Sequence, residues 1–155
     1  MCDDGFILLS GKEDSEKYFS TIVAIETAVF KPPWTENDFR AEINDSNSHS
    51  LLLVTSGLLA GYLFAKQAAD EISLNKLCIH REYRERGWGK LLLRKFLGRH
   101  RNTSRRMFLE VATTNTPAIA LYRSCGFVVV RVRKKIYASG ADALEMVYEY
   151  PDLHR

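Results

Sequence analysis

Apolar residues recur along this chain at two spacings, one typical of helices and one typical of strands. Segments with helical spacing predict helices over residues 14–29, 36–44, 87–101 and 117–124. Shorter segments that alternate apolar and polar residues, or are continuously apolar, predict strands over residues 5–10, 50–55, 59–68, 71–79, 106–111, 128–137 and 144–150. This order predicts a mixed α/β fold that begins antiparallel and continues with βαβ units.

Local signals mark where several of these elements begin and end. Thr35, followed three residues later by Asp38, has the form of a capping box and predicts the start of the second helix. Pro117 suits the first turn of the last helix and Gly126 its C-terminal cap. The apolar alternation slips at residues 75–76, which predicts a β-bulge there.

Length and composition predict one domain over residues 1–155. The chain has 155 residues, of which 46% are hydrophobic and 26% charged, and a chain of this length buries a core without staples. Its three cysteines are Cys2, Cys78 and Cys125; their odd number and scattered spacing match neither a disulfide framework nor a zinc motif. We therefore expect no metal and a reducing, cytoplasmic compartment.

Neither the N-terminus nor any later segment indicates a membrane or an export signal. The first residues lack a basic region followed by a long apolar run, and no apolar stretch approaches the roughly 20 residues of a membrane helix. The formal net charge is +3, with basic residues grouped at 99–106 and 131–135. A solvated surface is the simplest interpretation; steering of an anionic cofactor or docking on a nucleoprotein remain alternatives. No nucleic-acid motif accompanies the charge, so direct nucleic-acid binding is not expected.

The segment at residues 84–90 has the features of an anion site. Gly87 and Gly89 lie between a predicted strand and a long helix, where glycine lets the backbone turn and approach a ligand closely. The first N–H groups of that helix have no internal partners, and the helix dipole favours a pyrophosphate there. Arg84 and Lys90 add positive charge. A tight turn without a ligand would look the same, and the spacing is neither a Walker loop nor a Rossmann fingerprint.

The next segment carries side chains suited to proton transfer. Alternation along the strand puts Glu110 on the face opposite Leu109 and Val111, and a carboxylate on an apolar strand costs free energy unless it is paired, solvated or used. Tyr122 follows on a helix that Asn115 or Thr116 can cap. Each of these residues also has a purely structural interpretation: a solvated glutamate, a core aromatic ring and a helix cap.

These segments, in this order, resemble the GNAT superfamily of N-acetyltransferases. Arg84-x-x-Gly87-x-Gly89 matches the family's acyl-CoA motif, Q/R-x-x-G-x-G/A. The closer resemblance is to RimI-type N-terminal acetyltransferases, which acetylate the N-terminal alanine of the eighteenth small-subunit ribosomal protein. It is carried by FKPPWT, RERGWGKLLL, LEVATTNTPAIALYRSCGF and the Tyr137 loop with Asp142 and Met146, and it runs from about residue 5 to residue 150.

The resemblance implies a fold, a cosubstrate and a site. It implies a central, mixed and mostly antiparallel sheet flanked by helices, with acetyl-CoA as cosubstrate and a protein N-terminus, such as that of a ribosomal protein, as acceptor. By position, Glu110 is the general base and Tyr122 the general acid. The residues implied to bind the cofactor are Leu77, Cys78, Ile79, Arg84, Glu85, Arg86, Gly87, Trp88, Gly89, Lys90 and Asn115. Related enzymes often have two consecutive tyrosines in the last loop, where this sequence has Ile136 and Tyr137.

The implied residues suit attack of an amine on a thioester. An α-amino group has a pKa of about 7.7–8.0, so an appreciable fraction is already neutral at neutral pH. A carboxylate therefore need only orient the amine and remove a proton late in the reaction. The leaving thiolate resembles a cysteine thiolate, to which tyrosine is a credible proton donor. Backbone N–H groups of the bulged strand could stabilise the oxyanion. Cys78 and Cys125 are expected to be buried apolar residues, and Trp34 and Tyr137 to line a peptide groove or to be half-buried loop aromatics.

The sequence leaves three functions open. The first is acetylation of a protein N-terminus. The second is acetylation of a lysine or a small amine, because one fold hosts many acceptors. The third is a non-catalytic acyl-CoA sensor, which the presence of both Glu110 and Tyr122 disfavours.

Overall fold

The computed structural model describes residues 5–134 and 139–151. Its strands are β1 (Phe6–Leu9), β2 (Ser48–Thr55), β3 (Leu58–Ala68), β4 (Glu71–Ile79), β5 (Arg106–Ala112), β6 (Val128–Arg133) and β7 (Ala143–Glu149). Its helices are α1 (Lys12–Lys17), α2 (Phe19–Val29), α3 (Glu36–Asn44), α4 (Trp88–Arg99) and α5 (Thr116–Ser124), with a 3₁₀ turn at Arg81–Tyr83. No helix in this described part of the chain is long and apolar enough to cross a membrane.

The strands form one seven-stranded sheet in the order β1-β2-β3-β4-β5-β7-β6. Every neighbouring pair is antiparallel except β4 and β5, which are parallel. This mixed, mostly antiparallel sheet with flanking helices confirms the predicted fold class. The parallel pair is the junction between the N-terminal meander and the C-terminal strands.

Alternation along the strands divides the core into two layers, one on each face of the sheet. Leu51 and Leu53 pack with α4 and α5, whereas Leu52 and Val54 pack with α2 and α3. We call these the α4 face and the α2 face. A sheet covered by helices on both faces requires apolar residues at successive positions, because neighbouring side chains along a strand point to opposite faces.

The α2 face is covered over only part of its width. Ile22 on α2 and Phe39 on α3 are fully buried against β2–β4. The part of this face formed by β5, β7 and β6 instead carries two ion pairs, Arg131 with Glu145 and Arg133 with Glu110, whose arginine side chains are 60% and 45% exposed. Among the residues that the structure describes, helices of this face pack only over β2–β4. We call that part of the α2 face the covered half and the part over β5–β7–β6, on which no described helix packs, the bare half.

Several predicted elements are confirmed, and three details are wrong. The capping box at Thr35 and Asp38, the cap at Gly126 and the bulge at Asn75 are all present. The helix predicted over residues 14–29 is two helices, interrupted at Tyr18, whose backbone dihedrals (φ −100°, ψ 13°) leave the helical range. No proline or glycine marks that interruption in the sequence.

The other two errors concern the ends of elements. The long helix begins at Trp88 after Gly87 and ends at Arg99, because its final predicted turn is irregular. Strand β6 ends at Arg133, and Lys134 lies in a turn, so the strand predicted over residues 128–137 is too long. Residues 135–137 of that prediction lie outside the described residues.

Candidate active site

The start of α4 has the backbone shape that the glycine pattern predicts. Gly87 caps the helix with φ 78° and ψ 10°, and Glu85 two residues earlier has φ 63°. Both values lie in the left-handed region, which costs glycine little and other residues more. Gly87 and Glu85 are exposed, and Gly89 and Lys90 are partly exposed. The unpaired N–H groups of the first turn are thus accessible to an anion.

Aromatic packing anchors this turn to the rest of the protein. Trp88 is buried, and its ring stacks on Tyr83 with centroids 5.4 Å apart. The Arg86 guanidinium lies over both rings, 5.3 Å from Tyr83 and 5.8 Å from Trp88. The Arg84 Nε donates to the Ile79 carbonyl at 3.0 Å. Trp88 therefore serves the core, while the backbone beside it faces outward.

Gly89 shows which elements meet at this turn. A Cβ at Gly89 would lie 3.5 Å from the Leu121 side chain and 3.6 Å from that of Ile79. The first turn of α4 therefore lies between the end of β4 and helix α5. The predicted anion-binding segment and the predicted pantetheine-binding strand end are adjacent in space.

The sheet opens between β4 and β5 beside this turn. The two strands pair only where Glu71–Ser73 of β4 lie beside Arg106–Phe108 of β5, and no strand pairing joins them beyond these residues. Residues 77–79 of β4 pair with β3 on their other side. Leu77 and Ile79 point to the α4 face and Cys78 to the α2 face. We call the opening in the strand pairing between residues 77–79 and 109–112 the slot.

Glu110 lies on the β5 side of the slot and points to the bare half of the α2 face. Leu109 and Val111 are buried toward α4, which confirms the predicted alternation. The Glu110 carboxylate is 33% exposed and forms an ion pair with Arg133 of β6, reaching past β7. A second pair, Arg131 to Glu145, lies beside it at 3.1 Å.

A bulge in β6 brings the two arginines to this face. Val129 pairs with Met146 and Arg131 with Glu145, so Val130 is an extra residue between them. Without the extra residue, simple alternation would put both arginines on the opposite face. The bulge therefore determines that Glu110 has a cationic neighbour.

Tyr122 lies on α5 and Asn115 is the N-cap of that helix, on the other face of the sheet. Tyr122 packs against the core under α4, with its ring 5.8 Å from that of Phe127. The Asn115 side chain caps α5 by accepting from the Ala118 N–H at 3.3 Å. Glu110 and Tyr122 thus lie on opposite faces of the sheet.

Trp34 lies at the edge of the covered half, next to the β4 side of the slot. Its backbone N–H donates to the buried Glu26 carboxylate at 2.8 Å, and its ring lies 4.9 Å from the Lys76 ammonium. Trp34 is thus close to β4, as a groove wall would be. Tyr137, the other predicted groove residue, lies outside the described residues.

The described cysteines are buried, as predicted. Cys78 is 3% and Cys125 9% exposed. Burial raises the pKa of the Cys78 thiol to about 11, so the reactive thiolate is scarce at neutral pH. This agrees with a structural interpretation of both residues.

Sequence reasoning missed two side chains that adjoin the predicted site. Glu26 falls on the inward stripe of α2 with Ile22 and Ile25, so a charged residue on an apolar stripe was the available signal. The sequence gives no comparable signal for Arg133, because the face of the sheet to which its side chain points depends on the bulge at Val130.

The comparisons with known proteins all point to one family. Residues 19–127 match the Acetyltransferase (GNAT) family. N-alpha-acetyltransferase RimI of Mycobacterium tuberculosis is 34% identical over 119 residues, covering 74% of each chain. [Ribosomal protein bS18]-alanine N-acetyltransferase of Escherichia coli is 28% identical over 114 residues, covering 73% of this chain and 76% of that protein.

A solved structure agrees in fold. The crystal structure of the ribosomal-protein-S18-alanine N-acetyltransferase from Escherichia coli superposes with a TM-score of 0.86, at 24% identity and 97% coverage of both chains. The family match spans more than half of the chain, and it includes the start of α4, the slot and α5. The chain belongs to the GNAT family of acetyltransferases and is an N-acetyltransferase.

Proposed function

We propose that this enzyme transfers the acetyl group of acetyl-CoA to the N-terminal α-amino group of a protein. The N-terminal alanine of ribosomal protein bS18 is the first acceptor to test, because the Escherichia coli relative acts on it by name. The observation that supports the proposal most is the slot, which connects the anion-binding turn on one face with Glu110 on the other.

Acetyl-CoA would bind from the α4 face. Its pyrophosphate would accept from the N–H groups of residues 87–90, with Arg84, Arg86 and Lys90 supplying positive charge. Its pantetheine arm would follow the unpaired edge of residues 77–79, whose backbone can pair with an amide chain as a neighbouring strand would. Asn115, at the start of α5, would contact the arm from the other side.

The reaction is direct transfer without an enzyme-bound acetyl group. The acceptor nitrogen attacks the thioester carbon, and the oxyanion that forms accepts from a backbone N–H near the β4 bulge. Glu110 takes the proton that the nitrogen loses, directly or through water. The carbon–sulfur bond then breaks, and Tyr122 donates a proton to the departing thiolate. The buried thiol of Cys78 takes no part in the transfer.

The acceptor chain would bind over the α2 face. Trp34 lies next to the β4 side of the slot, and the charged side chains of β5, β7 and β6 form the floor of the bare half. An α-amino group, with a pKa of about 7.7–8.0, is partly neutral at physiological pH, whereas lysine, near 10.4, is not. This favours an N-terminus over a lysine for a site with one weak base.

A peptide panel tests the acceptor class. The panel contains a peptide with the first residues of bS18 and a free N-terminus, the same peptide with a blocked N-terminus, and a blocked peptide with an internal lysine. We expect acetyl-CoA-dependent acetylation of the free peptide, located on the α-nitrogen by tandem mass spectrometry. Modification of the blocked lysine peptide alone would contradict the proposal.

A second experiment tests the role of Tyr122. Replacing a general acid typically costs about 10²-fold or more in rate, so we expect Tyr122→Phe to lower kcat with little change in either KM. Tyr148→Phe is the matched control, because Tyr148 contacts the same Phe127 ring from β7, with centroids 5.7 Å apart. An equal loss of kcat in both variants would assign Tyr122 a packing role only.

A further inference from the structure

Helix α2 buries a carboxylate that the proposed reaction does not use. Glu26 is 0% exposed. Its Oε1 accepts from the Tyr62 hydroxyl at 2.8 Å, and its Oε2 accepts from the Trp34 backbone N–H at 2.8 Å and the Lys76 ammonium at 2.7 Å. A buried carboxylate is tolerated only when its oxygens are satisfied in this way.

The three donors come from three parts of the protein that meet beside the slot. Tyr62 lies on β3, Lys76 lies next to the bulge of β4, and Trp34 ends the loop between α2 and α3. The Lys76 ammonium also lies 3.9 Å from the centre of the Phe30 ring and 4.9 Å from that of Trp34. Glu26 and Lys76 together thus tie both ends of the loop at residues 30–34 to β4.

This loop faces the same opening as Glu110. Lys76 and Cys78 are two residues apart on β4, so both point to the α2 face, on the β4 side of the slot. Glu110 points to the same face from the β5 side. The loop and the general base are therefore on opposite edges of one opening.

We propose that Glu26 is a positioning residue for the acceptor: it holds Trp34 and Lys76 as the wall of the slot that faces Glu110. This inference rests on the proposed function. A buried ion pair is not required for stability, since apolar residues of similar volume often serve as well. The Glu26–Lys76 ion pair instead fixes the geometry of this wall, because both carboxylate oxygens accept hydrogen bonds and the lysine is confined between the carboxylate and two rings.

The test is Glu26→Gln, assayed with the free N-terminal peptide and acetyl-CoA. The amide keeps the shape of the carboxylate but no longer holds the Lys76 ammonium. We expect the KM for the peptide to rise about ten-fold, with kcat and the KM for acetyl-CoA changed by less than about two-fold, as for loss of uniform acceptor binding. An unchanged peptide KM, an equal rise in both KM values, or a fall in kcat alone would overturn the proposal.

Glu42→Gln is the matched control. Glu42 is also a buried carboxylate on a helix of this face, 6% exposed, but it contacts Asn75 and Lys66 and not the loop at residues 30–34. We expect it to leave the peptide KM unchanged. If Glu42→Gln raised the peptide KM as much as Glu26→Gln does, general loosening of the α2 face would explain both.

The double variant Glu26→Gln/Lys76→Met completes the test and also serves if Glu26→Gln does not fold, because it leaves no unpaired buried charge. If the pair acts as one unit, the double variant has a peptide KM no higher than that of Lys76→Met alone. A wild-type peptide KM in the double variant would overturn the proposal. Wild-type enzyme that acetylates no peptide N-terminus would instead mean that the proposed function has failed.

Discussion

The covered and bare halves of the α2 face each contain a carboxylate paired with a cation, and the two pairs differ in almost every physical respect. Glu26 is fully buried, and its partner Lys76 is 11% exposed. Glu110 and Arg133 are 33% and 45% exposed. The first pair joins helix α2 to β4 in the covered half, and the second joins β6 to β5 in the bare half.

This difference in burial suits the two pairs to the different roles that we propose for them: the buried pair to positioning the acceptor, and the exposed carboxylate to proton transfer. Breaking a buried pair leaves an uncompensated charge and costs about 3–5 kcal/mol, whereas an exposed pair contributes about 0.2–1 kcal/mol. The exposed carboxylate can therefore exchange its partner for an incoming amine at small cost. The buried carboxylate cannot, which suits a residue that keeps a wall in place.

The largest expected effect is on catalysis in the bare half. Glu110→Gln removes the proposed base and should lower kcat about 10²- to 10⁴-fold. The free energy of unfolding should change by less than about 1 kcal/mol, because the lost ion pair is exposed. Steady-state kinetics and urea denaturation measure the two quantities. A variant that retains wild-type kcat would remove Glu110 from the mechanism.

The covered half should show the reverse pattern. Glu26→Gln leaves Lys76 buried without its counter-ion, so we expect the free energy of unfolding to fall by about 3 kcal/mol. Urea denaturation followed by circular dichroism measures it. A loss no larger than that of Glu110→Gln would contradict the distinction between the two halves.

A smaller effect should separate the two arginines of β6. Arg133→Ala removes the cation that orients the Glu110 carboxylate, and an exposed pair worth up to about 1 kcal/mol corresponds to a fall of up to about five-fold in kcat/KM. Arg131→Ala is the control, because it lies on the same strand and face but pairs with Glu145. Equal falls in the two variants would indicate a general charge effect.

The smallest expected effect is slow alkylation of the Cys78 thiol in the covered half. Because burial raises the pKa of Cys78 to about 11, its thiol should stay protonated at pH 8 and react slowly with iodoacetamide in the folded enzyme. The measurement uses a variant in which Cys2 and Cys125 are serine, with the urea-unfolded protein as reference. Labelling at the unfolded rate would show that this half opens readily.

Much of the fold could be predicted from the sequence, because local signals determine it. The helix at residues 36–44, its capping box and the bulge at Asn75 each depend on a few neighbouring residues. The order of the strands could not be predicted, because pairing of β5 with β7 in place of β6 depends on contacts far apart in the sequence. The short parallel pairing that opens the slot has the same non-local origin.

The candidate site divides in the same way. The turn at Gly87 and the face of Glu110 follow from local pattern and alternation. The pairing of Glu110 with Arg133 does not, because it requires the β6 bulge and an arginine that reaches past a third strand. The burial of Glu26 likewise requires β3, β4 and the loop at residues 30–34 to meet.

A crystal structure with bound acetyl-CoA would show whether the cosubstrate crosses the sheet through the slot, as we propose. We predict that the pyrophosphate accepts from backbone N–H groups of residues 87–90, and that the thioester lies between residues 77–79 and 109–112, within reach of Glu110 and Tyr122. A cofactor bound at the start of α4 whose thioester points away from the slot would contradict the account.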